Sequence, residues 1–499
     1  MLSLRLPSGF QTRLDAFAPP GSMRARFLNG AAWSTIGLLA SQGLNFVAWM
    51  IVARFLTAGQ FGELGMIQAT LGMCGILAGT NLGMTATKHV AEFRTSSPER
   101  AGRLIGSTMT IAAALSAIVA LALVVAAPAL GADVLRAPNL VVELQLSAVF
   151  LIFTTVNSAQ VGALEGLECF KETATVTFVR GLLSIVFLAG GTLLLGLRGS
   201  VLGLTLAAAG AAVTSHIGIS RKARVLQIPL TYLPRASELA IYWRFSLPAF
   251  LSALCVVPTL WALRMLLVRE PSGYQQLGFF AAATRLQDLI SMIGNSLGAA
   301  LIPMLASSSS LTRSRIADRN VVLTWAFALA VCIPLMAFPE CLALAFGSQY
   351  ASRSAQLTLV LTLCSACVVT FKQGLARLFV VNDFMWVGAA SNLLWSLIAL
   401  GAAHYLVGWG AVGIAGAVLI AYVGNTAVTF PVYIRRSLAN PALFASARSA
   451  LIWLAVAAVP VAAIWVTSIP LRLALTILVA TVAIVALGGF IRPAASMKG

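Results

Sequence analysis

Charge is scarce in this chain of 499 residues: only 10% are Asp, Glu, Lys or Arg, and acids are the scarcer kind, 15 against 33 basic residues. A soluble domain carries about 25% charged residues, so this chain cannot dissolve its own surface. His is rarer still, at three, and no His, Cys, Asp or Glu group shows metal-ligand spacing, so neither metal nor cofactor is implied. There is no Walker loop, zinc motif or clustered carboxylate pair. That excludes ATP hydrolysis by this chain and leaves no enzyme constellation. The seven Cys lie in or beside apolar stretches; Cys364 and Cys367 have CxxC spacing, but on an apolar helix they read as packing.

What is abundant is apolar: 59% of residues, with a mean hydropathy of +0.93. Apolar stretches of about 20 residues recur from Phe27 onward, each long enough to cross a hydrocarbon core of ~30 Å as a helix. The chain therefore reads as an all-α polytopic membrane protein. Spans are predicted near 29–53, 62–87, 104–127, 143–164, 177–197 and 201–219, then near 244–268, 277–305, 321–346, 355–380, 384–406 and 411–434, with a last pair near 450–467 and 471–490. The expectation is about 14 transmembrane helices.

A net charge of +18 would suit nucleic acid, but the basic residues form short clusters between apolar stretches, with no contiguous basic face or aromatic stacking motif. Membrane topology explains them better. With the N-terminus inside, most of the Lys and Arg fall in inner segments, Arg180, Lys372 and Arg377 among them, and only Arg54, Arg136, Arg198, Arg269, Arg353 and Arg472 fall outside. The positive-inside tendency then makes both termini cytoplasmic. Residues 1–26 lack a signal-peptide core and are expected to form a disordered cytoplasmic tail.

The chain also repeats itself. Ala53-Arg54-Phe55-Leu56 aligns with Leu263-Arg264-Met265-Leu266, Phe61-Gly62 with Leu277-Gly278, and the segment starting at Gly199 with that starting at Gly410. Six helices per half give both halves one orientation, a parallel pseudo-twofold repeat about the membrane normal, which is one of the designs of secondary transporters. The expected organisation is a six-helix lobe over 27–224, an interlobe linker over 225–243, a second lobe over 244–437, and an extra helix pair with a tail over 438–499.

Ionisable groups inside spans cost about 2.5–3.5 kcal/mol each on insertion scales and usually face a cavity or a partner. Thr284, Gln287, Asp288, Ser291 and Asn295 recur at three- and four-residue spacing and form one polar stripe on the eighth span. Arg285 lies within reach of Asp288, so an internal ion pair that merely locks helices is the alternative to a water-facing stripe. Arg54 and Arg264 occupy equivalent repeat positions near the outer end of the first helix of each lobe. Two such guanidiniums would suit an anionic substrate; Arg54 reads equally as an interfacial anchor. Lys88, His89, Lys372 and Arg377 sit at inner helix ends, where snorkelling to the headgroups is the ordinary role and a place at the cytoplasmic mouth, for Lys88 and Arg377 above all, is the functional one.

Three stretches carry a resemblance. Ala53-Arg54-Phe55-Leu56-Thr57 through Phe61-Gly62-Glu63-Leu64-Gly65 is similar to the loop after the first helix of bacterial polysaccharide transporters of the Wzx type. Gly79-Thr80-Asn81-Leu82-Gly83 through Ala91-Glu92 resembles the end of that family's second helix. Gly162-Ala163-Leu164-Glu165-Gly166 through Phe170-Lys171 looks like its signature after the fourth helix, with Glu168-Cys169 where an Arg is common. Together they resemble the multidrug/oligosaccharidyl-lipid/polysaccharide exporter superfamily.

The resemblance implies a flippase in the bacterial inner membrane that moves an undecaprenyl-pyrophosphate-linked sugar unit outward through a cationic cavity between lobes. Substrate residues would then be Arg54, Arg264, Arg285, Asp288 and Asn295, with sugar contacts from groups such as Asn157 and Gln160. The implied partners are the lipid-linked oligosaccharide, membrane lipid, a polysaccharide polymerase and a chain-length regulator. A multidrug or metabolite antiporter of the same superfamily is the alternative. A membrane enzyme of polysaccharide assembly is a third reading, which lacks its long acidic outer loop.

Overall fold

The computed structural model describes residues 23–233, 236–299, 310–381, 384–436, 440–466 and 468–491. The expected tail before Met23 lies outside them, as do residues 234 and 235 of the expected linker. The described residues are helical, with no strand among them.

The first half begins with α1 (Met23–Phe55), α2 (Ala58–Leu77) and α3 (Leu82–Phe93). Thr57 opens α2 through a capping box, its hydroxyl accepting from the Gln60 amide while the Gln60 side chain accepts from the Thr57 amide. α2 and α3 meet at a bend of 45° and are together long and apolar enough for one broken span, the break falling where Gly79 takes a φ of +85°. Then come α4 (Pro98–Ala129), α5 (Val141–Gly166), α6 (Phe170–Leu183) and α7 (Gly190–Val225). The second half holds α8 (Ala236–Val268), α9 (Gly273–Ala299), α10 (Ser310–Ala337), the short α11 (Cys341–Phe346), α12 (Arg353–Val381), α13 (Met385–Leu406) and α14 (Gly410–Arg435). Last are α15 (Ala447–Trp465) and α16 (Ile469–Ile491).

Among the described residues, seven helical runs are long and apolar enough to cross a membrane, or eight with the bent α2–α3 pair. Two of these are too long for one crossing. The 56-residue run from Phe170 to Val225 would span about 84 Å as a straight helix. It reverses at Gly196 (φ 60°, ψ −133°), after which the Thr192 and Ser200 hydroxyls lie 2.8 Å apart. The 50-residue run from Trp386 to Arg435 reverses at Gly410, where φ is 63° and ψ −137°. The same rare backbone conformation at the same place in each half is a structural trace of the repeat, and it pairs Gly410 with Gly196 rather than with Gly199, as the sequence alignment has it.

Helices up to Val225 pack mainly on one another, as do α8 to α14, and the halves meet chiefly where α2 runs against α9 and α8. At that seam Gly62 and Gly278 are reciprocal. A Cβ on Gly62 would strike the Tyr274 carbonyl, and one on Gly278 the Ala58 carbonyl. Around the crossing the rings of Trp49, Phe61, Phe279, Phe346 and Tyr350 meet edge to face at 5.9–6.5 Å. The α15–α16 pair packs on α10, with Trp453 laid 5.0 Å from Trp325 and 5.8 Å from Phe371. Cys364 and Cys367 are free thiols in the α12 packing surface.

Candidate functional site

A cavity of about 210 Å³ opens between the halves, walled by α2, α8 and α9. Gly65, Ala69, Gly72 and Ala281 keep its walls low, and the polar groups facing it are Gln68, Arg264, Thr284, Arg285 and Asp288. Asp288 lies 15 residues along α9, about 22 Å from that helix's start, yet it is exposed. A carboxylate so deep in an apolar helix stays exposed only because it faces open space rather than neighbouring side chains.

The two arginines are held differently. Arg285 donates to the Gln68 side-chain oxygen across the seam and lies 3.9 Å from the centre of the Trp49 ring. Arg264 bonds the Leu260 carbonyl of its own helix at 3.1 Å and stands 5.8 Å from the Phe280 ring. Among the described residues neither forms an ion pair with Asp288, although both sit within its electrostatic reach. The expected Arg285–Asp288 lock is therefore replaced by a neutral amide and an aromatic face. Two guanidiniums against one carboxylate leave the cavity with a net positive charge.

Two expected substrate residues, Arg54 and Asn295, stand elsewhere. Arg54 is exposed at the end of α1 and donates from Nε to the Ala345 carbonyl at 3.0 Å and from its guanidinium to that of Leu344. In return Gln349 donates to the Ala53 and Leu56 carbonyls at 2.6 and 2.8 Å. The repeat-equivalent arginines thus do not share a cavity: Arg54 clamps α1 to the segment around α11. Asn295 accepts from Arg377 at 3.0 Å, so the polar stripe divides, Thr284 and Asp288 facing the cavity and Asn295 facing α12.

Arg377 also departs from expectation. It is only 6% exposed and donates to Asn320 Oδ1 at 3.0 Å and to the Asn295 carbonyl at 3.0 Å, joining α9, α10 and α12. A guanidinium this enclosed does not snorkel. Lys372, expected at a helix end, reaches the Asn425 oxygen on α14, which also accepts from Ser391 of α13 at 3.1 Å. Lys88 is exposed on α3 and lines neither this cavity nor the one in the first half. Arg180 belongs to no inner loop: it lies ten residues into α6 and faces that first-half cavity.

Of the arginines that the charge count assigns to outer segments, Arg198 pairs with Glu143 at 2.8 Å, Arg472 with Glu340 at 2.8 Å, and Arg269 donates to the Val134 carbonyl at 3.3 Å. With Arg54 they are connectors between helix ends. Sequence reasoning missed Gln68 and Trp49. A lone Gln among apolar residues in the second span was the available signal, but its partner lies 217 positions away.

The family described as polysaccharide biosynthesis protein matches residues 27–309. The EPS I polysaccharide export inner membrane protein EpsE of Ralstonia nicotianae is 24% identical over 410 residues, 81% of this chain and 92% of that protein. The lipid III flippase of Escherichia coli is 22% identical over 301 residues, 60% of this chain and 70% of that one. Among solved structures, the lipid II flippase MurJ in its inward closed conformation superposes with a TM-score of 0.68 at 12% identity, covering 92% of this chain and 99% of that chain. With more than half of its residues matched, the chain belongs to the polysaccharide biosynthesis protein family.

Proposed function

We propose that the protein is a flippase that carries an anionic polyprenyl-pyrophosphate-linked oligosaccharide from the cytoplasmic to the outer leaflet of the bacterial inner membrane for cell-surface polysaccharide assembly. The observation that carries this reading is the pair Arg264 and Arg285, presented to one open cavity at the seam between halves without a carboxylate bonded to either. Guanidinium binds phosphate oxygens through paired donors, and a low-dielectric surround strengthens the attraction. The polyprenyl tail stays in lipid while pyrophosphate and sugars pass between the halves. Asp288 keeps the cavity from binding the anion too tightly to release it.

Alternating access would separate the α2–α9 crossing at Gly62 and Gly278 together with its aromatic collar, and close the opposite end. No nucleotide motif is present, so the drive is an ion gradient, the membrane potential or the substrate gradient. A polymerase and a chain-length regulator would receive the product. The names of the lipid III flippase and of EpsE support the same direction of reading. The test is reconstitution: proteoliposomes holding the purified protein and a fluorescent lipid-linked oligosaccharide are expected to expose the probe across the bilayer faster than protein-free vesicles, and equal rates refute the proposal.

A further inference from the structure

The first half holds its own cavity of about 380 Å³, walled by α3, α5, α6 and the break between α2 and α3. This volume falls in the range of roughly 300–1,000 Å³ that holds small organic ligands. Arg180 and Asn81 line it, and among the described residues neither side chain makes a hydrogen bond or ion pair. A guanidinium within a spanning helix costs about 2.5–3.5 kcal/mol to insert, and among the described residues no protein group pairs with this one to offset that cost. Glu165 lines the same cavity and accepts only a long bond from Thr87, at 3.4 Å. Arg180 and Glu165 do not pair with each other; about 15 Å of helix separates their levels, since Arg180 lies ten residues into α6 and Glu165 one residue before the end of α5.

The rest of the lining is dominated by alcohols. Thr154 and Thr177 donate to carbonyls of their own helices at 3.0 Å, which leaves their oxygens as acceptors facing the cavity. This differs from the seam cavity in kind. There two guanidiniums dominate; here a carboxylate at one end disfavours an anion, while one guanidinium, a free carboxamide and several hydroxyls offer donors and acceptors of both senses.

We infer that this cavity binds the glycan of the transported lipid, a hydroxyl-rich carbohydrate, separately from its pyrophosphate. This rests on the flippase reading above. Glu165 accepts from sugar hydroxyls, Arg180 and Asn81 donate to hydroxyl, ring or acyl oxygens, and the Thr oxygens accept from the remaining hydroxyls. Bonds to the charged groups are the strong ones. The cavity shares the bent second crossing with the seam cavity: Gln68 and Gly72 lie before its break, Asn81 and Thr87 after it. Nine positions, roughly 14 Å of helix, separate Gly72 from Asn81 along it, a length that an oligosaccharide joined to a pyrophosphate can cover.

The test compares two probes on the purified full chain in phosphatidylethanolamine/phosphatidylglycerol nanodiscs: undecaprenyl pyrophosphate without sugar, and the lipid-linked oligosaccharide isolated from polymerase-deficient host cells. Arg180→Gln and Asn81→Ala are each expected to weaken the glycan-bearing probe by about tenfold or more and to leave undecaprenyl pyrophosphate within about twofold of wild type. Retained affinity for the sugar-free probe reports an intact fold. Thr177→Val, which removes one acceptor and no charge, is expected to weaken the glycan-bearing probe alone and by less. Equal effects on both probes in variants with wild-type melting midpoints, or no effect on either, overturn the inference. Arg285→Gln serves as the contrast and is expected to weaken both probes. If it weakens neither while Arg180→Gln remains selective, the anion reading of the seam fails and the glycan cavity stands.

Discussion

Gly62 and Gly278 stand at mirrored positions in a single helix crossing, each allowing the other helix's backbone to lie where a side chain would be. Substituting either residue by Leu forces α2 and α9 apart, an overpacking cost of about 1–3 kcal/mol. A lowered melting midpoint in detergent is expected for both variants, whereas Gly59→Ala, whose nearest neighbour would be the Thr57 hydroxyl at 3.9 Å, keeps the wild-type midpoint. Equal midpoints for all three would show that the crossing is not a close contact.

Arg264→Ala and Arg285→Gln are expected to abolish surface polysaccharide while leaving protein abundance in the membrane near wild type. Each removes a cation from the seam cavity without emptying a packed core. Normal export by Arg264→Ala removes the basis of the cationic mechanism.

Arg54→Gln separates the two readings of that residue. Its partners are the Leu344 and Ala345 carbonyls, so the variant is expected to melt at a lower temperature and still transport per folded molecule. A well-folded Arg54→Gln protein without transport would restore the substrate role.

Arg377→Leu leaves the oxygens of Asn320 and Asn295 without their donor in the packed second half. Each buried polar group so orphaned costs roughly 1–3 kcal/mol. The expected outcome is a marked loss of folded protein in membranes, scored by fluorescence-detected size exclusion. A residue that only snorkels to headgroups would tolerate the change.

Gly196 and Gly190 make a controlled pair, because a Cβ at either would meet nothing within 4 Å. Gly190 has helical angles, so Gly190→Ala is expected to raise stability by about 0.5–1 kcal/mol. Gly196 sits at φ 60° and ψ −133°, a region essentially closed to side-chain-bearing residues, and Gly196→Ala is expected to cost about 1–3 kcal/mol. Thermal unfolding of the two variants side by side checks the opposite signs.

The sequence by itself determined the helical membrane class, because 59% apolar residues arranged in stretches of membrane length admit no other solvent. It also determined the equivalence of Gly62 with Gly278 and the interior placement of Arg264, Arg285 and Asp288, since an offset and a polar residue within an apolar stretch are both visible in one dimension. Only the tertiary structure decided which of these groups face one another. Arg54 and Arg264 match in the repeat, but Arg54, in the last turn of α1, reaches carbonyls 290 and 291 positions away, while Arg264 on α8 stays at the seam. Arg180 and Arg377 read as loop or headgroup cations until helix packing set Arg180 against a cavity and enclosed Arg377. Periodicity tells which face of a helix a residue occupies; what covers that face depends on contacts between distant segments, and no local pattern encodes them.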